Sequence, residues 1–320
     1  TGSPFSTLPW GRCTQKSNGD DTTLYLHVFD WPHDGLLTVP GLAGDVQSAR
    51  VLGSTDFSAS VEKGDGVVTV SVPSSPPSVH VSIVAVDVAG SPVIYEAPVV
   101  HAQATSFVDS IEVTMDVGSP DLEIRYTVED SYGRRAPVVY QDPITLKRTT
   151  TVSAQTFDGR QSVSEPVSME FMRVEPWPAS DSKLQPSGLQ LETYTGDWDV
   201  LPDFSTLQPS GESIVDTISA DPRNEFEGRV FSGYVHVDRD AMYMFALESD
   251  DGSMLLIDDT PIIDNDGLHG SREMRGTAPL AAGWHAIRVE WFNKTGGAEL
   301  ELRMGELGET LMAENLTFTH

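Results

Sequence analysis

Thr22-Thr23-Leu24-Tyr25-Leu26-His27-Val28-Phe29 alternates two kinds of side chain, with Leu24, Leu26 and Val28 on one face of an extended strand and Tyr25, His27 and Phe29 on the other. A period of two built from β-branched, aromatic and aliphatic residues predicts a strand with a buried face. The same period returns at 67–72, 79–86, 111–117, 122–128, 152–157 and 167–171, and again at 230–237, 242–247, 254–257, 284–291 and 298–304. Each run is short and ends on Gly, Pro, Asp, Asn or Ser, and no stretch has the period of an amphipathic helix of ten or more residues. Many short strands with frequent turns predict an all-β chain of sandwiches or barrels.

At 320 residues the chain is long enough for two or three domains of about 100–150 residues each. Two breaks divide it. Ala97-Pro98-Val99-Val100-His101 separates one set of strands from the next, and the Pro- and Ser-rich stretch Glu175-Pro176-Trp177-Pro178-Ala179-Ser180-Asp181-Ser182, continuing to Gln185-Pro186-Ser187-Gly188, reads as a linker stiffened by its prolines. The expected modules are 1–100, 101–175 and 183–320. No tandem repeat is present. The opening Thr1-Gly2-Ser3-Pro4-Phe5, with no Met and no signal-type segment, reads as the interior of a longer protein.

The formal charge is −28, from 48 acids and 20 bases. Such a surface repels nucleic acid and anionic lipid, and no apolar run approaches the ~20 residues of a membrane-spanning helix, so neither nucleic-acid binding nor membrane insertion is expected. Residues 181–320 carry 26 acids against 9 bases, an excess that either solvates the surface or gathers in part around a hard cation. The single cysteine, Cys13, allows no internal disulfide and no Cys-based zinc site, and is expected to be a buried thiol.

Catalytic signatures are absent: there is no phosphate loop, dinucleotide fingerprint, His-Glu-x-x-His pair or Gly-x-Ser-x-Gly elbow. His27, His80 and His236 fall at expected strand positions, and His269 lies in a Gly-flanked loop beside acids. Trp10-Gly11-Arg12-Cys13-Thr14, Leu24 through Pro32, Gly35-Leu36-Leu37 and Val39-Pro40-Gly41-Leu42 resemble the β-sandwich that follows the catalytic barrel in α-L-fucosidases, a glycoside hydrolase family. That resemblance implies that the nucleophile and acid/base lie upstream of residue 1. No catalytic residue is therefore assigned within the chain, which is expected to be inactive alone and to have the upstream barrel of the same polypeptide as a partner. Trp10 and Trp31 are expected to pack rather than to hold sugar.

Ile124-Arg125-Tyr126-Thr127, Val138-Val139-Tyr140, Pro143-Ile144-Thr145-Leu146 and Thr151-Val152-Ser153-Ala154-Gln155 resemble the small immunoglobulin-like domain at the C-termini of chitobiases and hexosaminidases, which implies a spacer. Gly188 through Tyr194, Leu201-Pro202-Asp203-Phe204, Phe231-Ser232-Gly233-Tyr234, Glu248-Ser249-Asp250-Asp251-Gly252-Ser253, Leu256-Ile257-Asp258-Asp259, Gly283-Trp284-His285 and Val289-Glu290-Trp291-Phe292 are similar to the PA14 family. A β-barrel or sandwich follows from that similarity. In calcium-dependent PA14 members an Asp-Asp pair joined by a cis peptide helps hold Ca²⁺, which binds sugar hydroxyls; the role maps onto Asp250 and Asp251. Asp-Asp-Gly is also turn chemistry between the runs at 242–247 and 254–257, so a structural turn and a ligand site both stay open. Asp264, Asn265 and Asp266 are further oxygen donors whose convergence the spacing does not decide. The expected function is accessory: a secreted or periplasmic, carbohydrate-binding region of an α-L-fucosidase. The alternative is a spacer or protein-interaction region without a ligand.

Overall fold

The computed structural model describes residues 2–54, 56–64, 67–180, 188–221, 225–313 and 316–320. The architecture is all-β, with a single 3₁₀ turn, Phe204–Thr206, among the fully described elements. The chain forms two compact units, Thr1–Ala102 with Glu112–Phe171, and Gln103–Ile111 with Met172–His320.

In the first unit a four-stranded sheet runs in the order Gly11–Asn18, Asp21–Val28, Ser82–Val88, Val46–Val51, and a three-stranded sheet in the order Leu36–Pro40, Val67–Ser71, Val61–Gly64. Leu24, Leu26, Val84, Val86 and Val88 of the first sheet share one core with Leu37, Val39, Val68 and Val70 of the second. The alternation at 22–29 is realised: Leu24, Leu26 and Val28 are buried and Phe29 is 56% exposed. The expected strand at 79–86 starts later, at Ser82, because Ser78 to His80 turn over the Ser82 hydroxyl, leaving Val79 95% exposed and His80 off the strand. Trp10 is buried with its indole N–H on the Thr38 carbonyl (2.6 Å), and Trp31 reaches the Pro73 carbonyl (2.8 Å), so both serve the core. Cys13 is a buried thiol, pushed up to about 11 by that burial.

The second part of this unit is built on Thr150–Asp158, flanked by Glu123–Asp130 and Val167–Arg173, with a smaller sheet of Val99–His101, Ile111–Asp116 and Ile144–Leu146. Thr156, fully buried, donates its hydroxyl to the Glu96 carbonyl at 2.8 Å, tying this sheet to the segment leaving the first sandwich.

In the second unit a large sheet runs in the order Gly211–Val215, Leu189–Thr195, Glu227–Val237, Gly283–Asn293, Ser253–Ile257, Thr260–Asn265, with Phe318–Thr319 paired to Glu227–Val237. A second sheet runs Arg272–Leu280, Ala241–Asp250, Glu299–Glu306. Phe231, Val235, Leu255, Val289 and Trp291 of the first meet Phe245, Leu247 and Leu302 of the second in one core. Each such side chain contributes roughly 1.5–3 kcal/mol on burial. The sheets do not close, so the module is a sandwich and not a barrel.

The stretch read as a linker is, in its first half, part of this sandwich. Trp177 donates its amide to the Pro279 carbonyl (2.8 Å) and accepts from Ala281 (3.0 Å), Ser180 donates to the Trp284 carbonyl (2.7 Å), and the Trp177 ring packs on the core. An apolar ring beside an open sheet edge outweighs the local preference of Pro and Ser for free chain. Residues 181–187, the rest of that stretch, lie outside the described residues.

Candidate functional site

Asp250 ends one strand and Ser253 begins the next, yet these strands belong to different sheets: Asp250 pairs with Glu299 and Ser253 with Trp291. Asp250-Asp251-Gly252 is therefore the crossover between the two layers, and the expected hairpin turn between 242–247 and 254–257 is not formed. The peptide bond between the two aspartates is cis. Gly252 is required by space, since a Cβ there would stand 2.5 Å from the Phe292 ring and 2.8 Å from the Asp266 carboxylate.

Asp251 is buried, 6% exposed, and its carboxylate is divided between two loops. Oδ1 accepts the His269 amide at 3.1 Å and Oδ2 the Lys294 amide at 2.9 Å. Asp250 is only half-buried, and its carbonyl accepts the indole N–H of Trp291 at 3.1 Å. Burial first, and then the Asp251 charge, raise the Asp250 carboxyl above its ordinary range, with Glu299 adding and His269 opposing.

A third loop joins these two. Lys294 extends its ammonium to Asp199 (2.7 Å) and Asp197 (2.9 Å), which hold its pKa above the usual lysine range, and the Leu201 amide donates to Asp266 Oδ1 at 2.8 Å. Trp198, between those acids, packs half-buried against Phe204. Val200 (57%), Phe226 (37%) and Leu268 (51%) are exposed, and Phe226 is tied in by its amide on the Lys294 carbonyl and its carbonyl on the Gly196 amide, both 2.9 Å. One end of the sandwich thus combines carboxylates with apolar side chains.

The other expected donors are occupied. Asn265 is fully buried, giving its amide to Ser249 Oγ (2.9 Å) and the Arg272 carbonyl (3.0 Å) while accepting Arg272 Nε (2.6 Å). Asp266 Oδ1 takes the amides of Leu201 and Gly267, and Asp264 Oδ1 takes that of Asp266. His269 places its ring nitrogens on the carbonyls of Asn265 (2.8 Å) and Gly270 (2.9 Å). Among the described residues no group of three or more His, Cys, Asp or Glu side chains is arranged to hold a metal ion. The involvement of Lys294, Asp197 and Asp199 was not read from the sequence, because an ion pair spanning some 95 residues leaves no local pattern.

Two stretches of the chain match known families. Residues 186–310 match the PA14 domain, and residues 102–168 match the chitobiase/β-hexosaminidase C-terminal domain. No curated protein matches the chain. Similar solved structures include the PA14 domain of the MpAFP antifreeze protein (17% identity, 43% of this chain and 95% of that one, TM-score 0.37). They also include a PA14 sugar-binding domain from an RTX adhesin (14% identity, 42% and 99%, TM-score 0.38) and the epithelial adhesin 9 A domain of Candida glabrata in complex with Galβ1-4GlcNAc (11% identity, 45% and 95%, TM-score 0.34). No helix among the described residues is long and apolar enough to cross a membrane.

Proposed function

We propose that the loop end around Asp250 and Asp251 binds carbohydrate, and that the chain is a secreted or periplasmic accessory region of a glycoside hydrolase. The supporting observation is the division of labour within the pair. Asp251 spends both oxygens on the amides of two loops, which leaves Asp250 as the less buried carboxylate of the pair, on a sandwich whose loops also expose Val200, Phe226 and Leu268. Carboxylates accept hydroxyl hydrogens and apolar side chains cover the C–H face of a pyranose, so this mixture suits a sugar.

Calcium is part of the proposal as a partly hydrated ion. Each Asp251 oxygen accepts one N–H and keeps a lone pair, and Asp250 lies in a field short of positive charge, so Asp250 and Asp251 would hold the ion. They supply only part of the roughly 6–8 oxygens it takes. When bound, the ion supplies coordination of sugar hydroxyls. The resemblance of the first module to α-L-fucosidases makes that enzyme class the proposed parent, and the division into 1–100, 101–175 and 183–320 belongs to the same reading.

The test is a glycan array with the intact chain, in calcium and in chelator. Binding to a defined glycan, lost in Asp250→Asn with the fold retained, is expected. Should no glycan bind in either condition, with Asp250→Asn indistinguishable from wild type, the double amide tie of Asp251 serves only as a structural turn and the spacer reading holds.

A further inference from the structure

A groove lies in the chitobiase-like part of the chain. It measures about 540 Å³, within the range of small-molecule sites, and no residue of the PA14 loop end lines it. Tyr126, Val128 and Asp130 enter it from one face of the strand Glu123–Asp130 at a spacing of two. Val138, Ile144 and Leu146 extend an apolar wall, and Arg135, Lys147 and Arg148 also line the groove.

The charge of this groove runs against that of the molecule. Residues 126–150, the span that holds the lining, carry four bases and three acids, whereas the rest of the chain carries 16 bases and 45 acids. The one acid among the lining residues lies underneath the cations: the Asp130 side chain is 3% exposed, with Arg135 at 3.1 Å and Arg148 at 3.9 Å on the same oxygen. Its other oxygen accepts the Tyr132 amide at 2.8 Å. Arg148 also lies over the Tyr132 ring, 4.9 Å from its centroid. Both guanidinium groups are thus fixed in place while more than half exposed. Lys147 is exposed and makes no ion pair among the described residues. One buried carboxylate balances one of three cations, so the groove keeps a surplus of two positive charges.

We propose that this groove binds a saccharide unit bearing an anionic group, a carboxylate or a sulfate ester. The anion satisfies the fixed guanidinium forks and Lys147, and the ring lies against Tyr126, Val138 and Ile144. The acidity of the remaining surface disfavours long polyanions such as nucleic acid, which selects a ligand whose charge is confined to the groove.

The test uses the full chain and four probes: a uronate-containing oligosaccharide, its sulfate-ester counterpart, a neutral N-acetylglucosamine oligosaccharide, and inorganic sulfate. The expected result is binding of one or both anionic sugars in the presence of chelator, weakened by salt, with the first two arms telling carboxylate from sulfate. Lys147→Gln should weaken it roughly tenfold. This variant removes no ion pair, so it keeps the test open even if Arg135→Gln or Arg148→Gln strands Asp130 and unfolds the module. Equal binding of the neutral sugar, displacement by inorganic sulfate at equal concentration, indifference to Lys147→Gln, or no binding at all would each overturn the proposal.

Discussion

Both oxygens of Asp251 accept amide hydrogens, so an asparagine there would turn an NH₂ donor toward an N–H that needs an acceptor. Leaving one such donor unsatisfied costs about 1–3 kcal/mol. Asp251→Asn should therefore lower the melting temperature of the PA14-like sandwich with or without calcium; an unchanged melt would mean that the two amides find other partners. Asp250 behaves oppositely. Burial and the Asp251 charge raise its carboxyl, so its contribution to stability is full below the ordinary value of 3.8 and is lost as pH rises through the raised folded value. Asp250→Asn stays neutral at every pH. It should melt above wild type at neutral pH and converge on it in acid, and a gap that widens in acid would refute this cause. The pair was singled out in the sequence by its resemblance to the PA14 family. Which aspartate anchors and which faces outward was not legible, because that depends on amides 18 and 43 residues away.

At the scale of elements, strands with strict alternation announced themselves. Glu227–Val237, Ala241–Asp250 and Gly283–Asn293 each bury one face on a shared core. Strands at sheet margins did not: Gly11–Asn18 buries only Cys13, and Gly211–Val215 buries nothing fully. An edge strand is held by backbone hydrogen bonds, which leave no mark on composition. The same holds for the segment through Trp177, whose Pro-rich sequence reads as linker while its amides pair with the edge strand Arg272–Leu280 and its neighbour. Hydrogen exchange should find the amides of Trp177, Ser180 and Ala281 protected, and Trp177→Ala should destabilise the sandwich by about 2 kcal/mol. Rapid exchange at these amides together with a silent Trp177→Ala would restore the linker reading.

For the molecule as a whole the dominant fact is charge, −28 in 320 residues. Raising ionic strength from about 0.01 to 0.15 M shortens the screening length from roughly 30 to 8 Å, so melting temperature should rise with sodium chloride as self-repulsion is screened. Calcium chloride at matched ionic strength separates this effect from a specific ion: added stabilisation beyond sodium follows the ligand-linkage law. A melting temperature that falls with sodium chloride would show that local ion pairs such as Lys294 with Asp197 and Asp199 outweigh the repulsion. The Asp251 tie carries a different lesson, about how such a protein can change over generations. Its partners are main-chain amides, and a main-chain amide is the same whatever side chain it carries. Every amino acid but proline can occupy 269 or 294 without removing the amide that the knot uses, while the exposed tips at 200 and 268 are free to vary. A lineage, or an engineer shuffling those tips, can search for new recognition on a frame whose fastening is blind to the search.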